Sequence, residues 1–409
     1  MKNWERKKLG DICGFVRGPF GGSLKKNIFK PEGYAVYEQQ HAIYDQFDDI
    51  RYFIDEKKFN EMKRFELNSG DLIMSCSGTM GKIAIVPENI KKGIINQALL
   101  KLTPSKKIST VFLKLWMQSE SFQESLKEYS GGAAIQNVAS VAILKQIEIP
   151  LPTLPEQQRI VSILDEAFAA IAKAKANAEQ NLKNAIELFE SYLQGVFKKK
   201  GEGWEERKVN EIGNAQTGTT PKTAEKENYG DFIPFIKPAD VDFSGIGDIR
   251  YDNEGLSEIG LKKGRKIESG SILMVCIGAT IGKVGFAERE VSCNQQINSL
   301  TVKKEFEPKF IYYAMTSKGF QEKVLLEGKG AQATLPIINK SKWENLSISF
   351  PKSKTEQKRF VEKLDALSIE SQKLQEIYLK KLADLEELKK SVLQKAFAGE
   401  LKNEKAILV

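Results

Sequence analysis

The run EQQRIVSILDEAF, beginning at Glu156, returns two hundred residues later as EQKRFVEKLDAL, beginning at Glu356. Each copy follows a proline-bearing stretch, IPLPTLP before the first and SFPKSKT before the second, that blocks helix and then opens a long apolar periodicity. In the first copy Ile160, Leu164, Ala167, Ile171, Ala174, Ala178, Leu182, Ala185, Phe189, Tyr192 and Val196 fall near the 4-3 spacing of a heptad seam. In the second, Phe360, Leu364, Leu367, Ser371, Leu374, Tyr378, Lys381, Leu385, Leu388 and Val392 keep that spacing with polar breaks. Each run lasts about forty residues, roughly 60 Å as a continuous helix. So long an apolar stripe needs a cover, and the other copy is the nearest one. The same seam would serve a parallel homodimer. Antiparallel pairing within the chain avoids the entropy of association and is the expected arrangement.

The repeat extends beyond the helices. WERKKLGDI from Trp4 answers WEERKVNEI from Trp204, and SGDLIMSCSGTMGKIAIV from Ser69 answers SGSILMVCIGATIGKVGF from Ser269. Asn96-Gln97 answers Asn294-Gln295, Phe122-Gln123 answers Phe320-Gln321, and GGAAIQNV from Gly131 answers GAQATLPI from Gly330. Short apolar runs bounded by Gly, Asn and Pro read as strands and turns. The fold class expected is α+β: two strand-rich mixed α/β domains joined by two long antiparallel coiled-coil helices in an internal pseudo-two-fold repeat. The boundaries expected are a first domain at 1–153, a first helix at 154–200, a second domain at 201–352, and a second helix with a C-terminal tail at 353–409. The two domains differ most in polar loops: RGPFGGSLKKNIF from Arg17 stands where TGTTPKTAEKENYG stands from Thr217. One scaffold with unlike loops suggests two related sites for different ligands.

Composition narrows the function. The 409 residues are 41% hydrophobic and 28% charged, with a net charge of +8 that points mildly to a polyanion. No apolar run is long enough to span a bilayer and MKNWERKKLGDI lacks a signal-peptide core, so a cytoplasmic protein is expected. Cys13, Cys76, Cys276 and Cys293 form no C-x-x-C pair and read as buried thiols. A single histidine, His41, makes a metal site or a Ser-His-Asp arrangement unexpected. GTMGK from Gly78 and GATIGKV from Gly278 miss the spacing of a phosphate-binding loop and lack its hydroxyl after the lysine, so strand–turn–strand is the better reading. DEAF at Asp165 lies in the seam, and no N-P-P-Y or D-P-P-Y run is present. The chain alone reads as no catalyst.

The PLPxLxEQQRIVxxLD pattern from Pro150, LQKAFAGEL from Leu393 and the duplicated domain–helix order resemble the specificity subunits of type I restriction–modification systems. The resemblance implies that each domain is a target recognition domain reading one half of a bipartite sequence in double-stranded DNA. It implies that the helices form a spacer and dock two modification (methyltransferase) subunits, with restriction subunits joining through them. It further implies no cofactor in this chain, S-adenosylmethionine being bound by the partner modification subunit, and no membrane. The second helix entry, SKTEQKRF, departs from the PLPxLxEQQ form. A coiled-coil interaction scaffold without nucleic-acid binding is the alternative the residues alone leave open.

Base reading needs amide and guanidinium groups that make paired hydrogen bonds, with Lys and Ser/Thr on phosphates. In the first domain the candidates are Arg17, Ser23, Lys25, Lys26, Gln39, Gln40, His41, Thr79, Lys82, Gln136 and Asn137. In the second they are Thr217, Thr219, Thr220, Lys222, Lys237, Asp240, Arg265, Thr280, Lys283, Gln332 and Thr334. Asn96 and Asn294 read equally well as turn residues bonding their own backbone. Helix-pair packing is assigned to Ile160, Leu164, Ile171, Leu182, Phe189 and Val196, against Phe360, Leu364, Leu367, Leu374, Leu385, Leu388 and Val392.

Overall fold

A computed structural model describes residues 4–129, 140–241, 249–328 and 336–401. It divides into two compact units, Met1–Asn177 with Lys381–Val409, and Ala178–Lys380. The two long helices, Leu154–Lys198 and Lys354–Phe397, each contribute to both units.

The first unit holds three small sheets. A ribbon pairs β1 (Glu5–Lys8) with β9 (Glu148–Leu151), so the strand that opens the unit lies against the strand that feeds the first long helix. A four-stranded antiparallel sheet runs β2 (Cys13–Arg17), β8 (Leu99–Pro104), β5 (Leu72–Ser75), β6 (Ile83–Ile85). A three-stranded sheet runs β4 (Phe53–Ile54), β3 (Tyr34–Tyr37), β7 (Gly93–Ile95), with β3 and β7 parallel. The strand β5 is buried on both faces, which is why DLIMSC is an almost unbroken apolar run. Leu72 and Met74 belong to the core built by the helices, and Ile73 to the core shared with Tyr37 and Ile95.

The second unit repeats this topology strand for strand. The ribbon is β10 (Trp204–Lys208) with β18 (Ser347–Pro351). The four-stranded sheet runs β11 (Gly213–Thr217), β17 (Ile297–Val302), β14 (Ile272–Val275), β15 (Val284–Phe286), and the three-stranded one β13 (Gly255–Leu256), β12 (Tyr229–Ile236), β16 (Ser292–Cys293).

The repeated EQ dipeptide has a physical role in this frame. Gln157 is fully buried; its Oε1 accepts from the Ser109 N–H at 2.8 Å, and its Nε2 donates to the carbonyls of Pro152 at 2.9 Å and Lys107 at 3.2 Å. Ser109 caps the helix Thr110–Met117, so one carboxamide joins three segments. Gln357 repeats the lock, accepting from the Glu307 N–H at 2.8 Å and donating to the Pro351 carbonyl at 2.8 Å.

Inside each unit the helix segments pair antiparallel. In the first, Lys175 meets Glu386 at 2.6 Å, while Lys389 lies 5.2 Å from the Phe168 ring centre, so rising numbers on one helix meet falling numbers on the other. In the second, the Ser371 hydroxyl donates to the Ala185 carbonyl at 2.7 Å, and Phe189 and Leu193, later on the first helix, share a core with Leu364 and Val361, earlier on the second. Of the expected packing residues Ile160, Leu164, Ile171, Phe189, Val196, Leu364 and Val392 are buried, and Leu182, Phe360, Leu367, Leu374 and Leu385 half-buried. Leu388 is a correction: it is 45% exposed. The helical period of about 3.6 drifts off a strict heptad, so Val361, Ser368 and Leu393 take inside positions that a 3.5 spacing assigns elsewhere.

Replacing Gln157 by Leu, close in volume, strands a buried N–H and a buried carbonyl, each at a cost of about 1–3 kcal/mol. Urea unfolding of the first unit is expected to lose roughly 2–4 kcal/mol, while Gln158→Leu at the exposed neighbouring position stays within about 0.5 kcal/mol of wild type. Equal effects of the two substitutions would contradict the lock.

Candidate nucleic-acid interface

In the first unit the polar loops leave from one edge of the four-stranded sheet. The β5–β6 turn is set by the Ser75 hydroxyl, which donates to the Thr79 carbonyl at 2.6 Å and accepts from the Lys82 N–H at 3.0 Å. Gly78 and Gly81 take positive φ in this turn, and Gln123 donates to the Gly81 carbonyl at 3.1 Å. The glycine run is therefore a hairpin connection between two antiparallel strands, not a strand–loop–helix phosphate cradle. Beside it, Asn96 Oδ1 accepts from the Ala98 N–H at 3.0 Å, closing an Asx turn against which Gly18 is pressed.

Thr79 and Lys82 are exposed on this turn. Arg17 ends β2 close to Cys76; burial pushes that thiol up to about 11, and the charge of the guanidinium pulls the other way. Gln39 accepts from Ser77 at 3.4 Å, so Arg17, Gln39, Thr79 and Lys82 cluster around one turn. Ser23, Lys25 and Lys26 stand on a separate loop flanking buried Leu24, which packs with the outer core of the three-stranded sheet. Gln40 donates to the Asp49 carbonyl at 3.1 Å.

His41 departs from expectation. It is 1% exposed, with Nδ1 2.9 Å from the Glu38 backbone and Nε2 3.0 Å from the Asp49 carbonyl. A ring so enclosed holds a loop together and presents no edge to a base.

In the second unit the matching edge is better knit. Thr217 donates to Asn298 at 2.8 Å and its carbonyl accepts from Arg265 at 2.8 Å, while the Thr220 hydroxyl bonds Gln295 and the Thr219 N–H donates to the Cys293 carbonyl at 2.9 Å. Thr280 and Lys283 lie on the β14–β15 turn, where the Lys283 N–H donates to the Thr280 carbonyl at 3.3 Å. Lys222 sits apart, 3.5 Å from Glu225, a carboxylate held at about 2 chiefly by its hydrogen bond from Lys263. Lys237 is paired with Glu254. Asp240 is a further correction: 4% exposed, it accepts from the Lys237 N–H at 2.9 Å and from Asn253, so it caps a turn instead of facing a ligand. Gln136, Asn137, Gln332 and Thr334 lie outside the described residues, as does most of the glycine-rich repeat containing them.

Two exposed amides escape the residue-type search, Gln97 and Gln295, each at the second position of the Asx turn. The repeated Asn-Gln dipeptide is the signal that marks them. The four cysteines are buried and unbridged; burial raises Cys13, Cys276 and Cys293 to about 12, so none is a nucleophile near neutrality.

The duplicated frame has a counterpart among known proteins. Residues 1–184 and 201–379 each match the family model of the type I restriction modification DNA specificity domain. The chain belongs to this type I specificity family. A type I restriction enzyme MjaVIII specificity subunit of Methanocaldococcus jannaschii is 25% identical, covering 98% of this chain and 93% of the relative. The HindI specificity subunit of Haemophilus influenzae is 32% identical over 43% of this chain and 39% of its own length. Two solved structures share the fold. One, from work on complex assembly and conformational transition of the type I R-M system, has a TM-score of 0.76 at 19% identity, covering 98% of this chain and 99% of its own. The other, the HsdS subunit of Thermoanaerobacter tengcongensis, has a TM-score of 0.64 at 18% identity, covering 98% of each chain.

As a type I specificity subunit the chain recognises a DNA target and leaves catalysis to other subunits. Among the described residues no cluster of His, Cys, Asp and Glu could hold a metal, and no helix is long and apolar enough to cross a membrane.

The enclosure of His41 has a measurable consequence. His41→Ala leaves the Glu38 N–H without the ring nitrogen it donates to and opens a void beside Tyr37 and Phe47, so a loss of about 2–4 kcal/mol in urea unfolding is expected. At temperatures where the variant is folded, methylation mapping should return the wild-type target. A stable variant with an altered half-site would show that the ring reads DNA after all.

Proposed function

We propose that the two units each read one half of a bipartite, asymmetric sequence in double-stranded DNA. The observation that carries this reading is one sheet-and-turn frame built twice, with Thr79 and Lys82 of one glycine turn repeated as Thr280 and Lys283, but with unlike side chains beside it: Arg17, Phe20 and Gln39 in the first unit stand where Thr217, Thr220 and Pro238 stand in the second. Exposed Gln97 and Gln295 at the matched Asx turns are candidates to read base edges, because an amide makes the paired hydrogen bonds that adenine presents in the major groove. Exposed Lys25, Lys26 and Lys82 suit phosphates, which set orientation and register but carry no sequence information.

The long helices are proposed to set the length of the unread gap and to dock two modification subunits, through which restriction subunits join. Supporting this, large apolar side chains stand exposed on both helices: Ile186 and Leu188 on the first, Ile369, Ile377, Leu379 and Leu388 on the second, between 39% and 57% in water. Residues two apart, such as Ile186 and Leu188 or Ile377 and Leu379, point to opposite sides of a helix, so partner surfaces laid on more than one face would cover them. S-adenosylmethionine is then bound by the modification subunit, this chain supplying recognition alone, and the assembly acts in the cytoplasm.

The test separates gap from half-sites. Inserting four residues into each long helix, about 6 Å of helix apiece, should change the number of unspecified base pairs while both half-sites keep their bases, as read by methylation mapping of host DNA. Altered half-sites with an unchanged gap would contradict the assignment. A complex whose DNA affinity does not fall with added salt would contradict DNA binding itself.

A further inference from the structure

The loop leaving β2 displays an aromatic side chain that hydrogen-bonded reading does not use. Phe20 is 92% exposed. A phenyl ring in water is ordinarily turned into a core or covered by a neighbour, and a slack loop would allow that. This loop is held. The Gly18 N–H donates to the Leu99 carbonyl at 2.9 Å, and a methyl group at Gly18 would sit 1.8 Å from the Asn96 carbonyl oxygen, so the backbone is pressed onto the Asx turn. Pro19 fixes its own φ and restricts the residue before it. Phe20 is extended at φ −62° and ψ 144°, and its carbonyl accepts from the Ser23 N–H at 2.8 Å. Leu24, buried, anchors the far end. The ring is thus presented by backbone tied down on both sides, between Arg17 and the exposed Lys25 and Lys26.

The second unit makes the opposite choice at the same place. Gly218 is pinned in the same way, with a methyl there falling 2.1 Å from the Asn294 carbonyl oxygen, but Thr220 occupies the position of Phe20 and bonds Gln295. An apolar side chain and a hydrogen-bonding one stand on equivalent pedestals.

We propose that Phe20 is an apolar wedge that enters between two stacked base pairs of the half-site facing the first unit, and that the second unit has none. This rests on the reading of the units as DNA-recognition domains. A ring inserted at a base step unstacks it in part and kinks the duplex. Pyrimidine–purine steps such as TA and CA/TG yield most easily, so the wedge adds a sequence preference that no hydrogen bond carries. Lys25 and Lys26 hold the phosphates on either side of the opened step.

The experiment uses the full chain copurified with its partner subunits, as wild type, Phe20→Ala and Phe20→Trp, on duplexes selected by the wild type from a random library. 2-Aminopurine is placed in turn at each position of the selected duplex. The wild type and Phe20→Trp should raise its emission at one step of one half-site. Phe20→Ala should abolish that rise, weaken binding roughly 5- to 100-fold, and relax the preference at that step with the other half-site unchanged. Because Phe20 is exposed, Phe20→Ala should unfold with the wild-type midpoint. Salt-dependent specific binding with no local rise in the wild type, or a rise that survives Phe20→Ala, would overturn the wedge alone. Wild-type complex with no preference for any selected duplex would overturn the DNA-recognition reading beneath it.

Discussion

A buried carboxamide at the head of each long helix holds the structure in register. Apolar contacts along a helix tolerate sliding, because they are non-directional and many registers bury similar area. The bonds of Gln157 and Gln357 do not: each fixes a helix start to the cap of a second helix and to the last carbonyls of the strand that precedes it. An unpaired amide or carbonyl in that position costs more than the hydrogen bond itself contributes, so alternatives are excluded more firmly than the native pairing is favoured. The ribbons β1–β9 and β10–β18 depend on this, since β9 and β18 run directly into the locked residues.

Around that lock each unit separates frame from loops. The frame consists of small sheets whose inner strands β5 and β14 are buried on both faces, and of turns whose polar groups are answered internally: Ser75 and Gln123 at one glycine turn, Gln321 beside the equivalent one, Asn96 and Asn294 at the Asx turns. Such groups are spent on shape. What remains to meet a ligand is a small set of exposed side chains projecting from a rigid edge, which is where specificity can change without loss of the fold. Gly18 and Gly218 mark the border, because any side chain there would collide with a backbone carbonyl.

Much of the frame was legible in the chain because it is written twice and in periods. The helix entries and the hairpin nature of GTMGK and GATIGK follow from spacing and from punctuation by Gly and Pro, and the antiparallel pairing follows from two matched seams in one chain, whose pairing avoids the entropy of association. The site was less legible for reasons that are local. His41 and Asp240 carry the residue types of base readers, but a bond three residues away in each case turns the side chain onto its own backbone, and short-range bonds of that kind leave no periodic trace. Leu388 satisfies a heptad on paper and leaves the stripe because a real helix turns at about 3.6 residues. Phe20 resembles any core aromatic until its exposure is known. Gln157 stood in plain view within the motif, yet its role as a lock depends on the carbonyl of Lys107 and the amide of Ser109, about fifty residues earlier in the chain.

The most direct measurement is hydrogen exchange at the two backbone amides that the locks engage, Ser109 and Glu307, read by NMR or fragment mass spectrometry on the full chain. Both amides should exchange as slowly as those of β5 and β14, which open only when their units unfold. Exchange at either amide on the timescale of an exposed loop, with those strands still protected, would show that the helix head is not locked and would contradict the account.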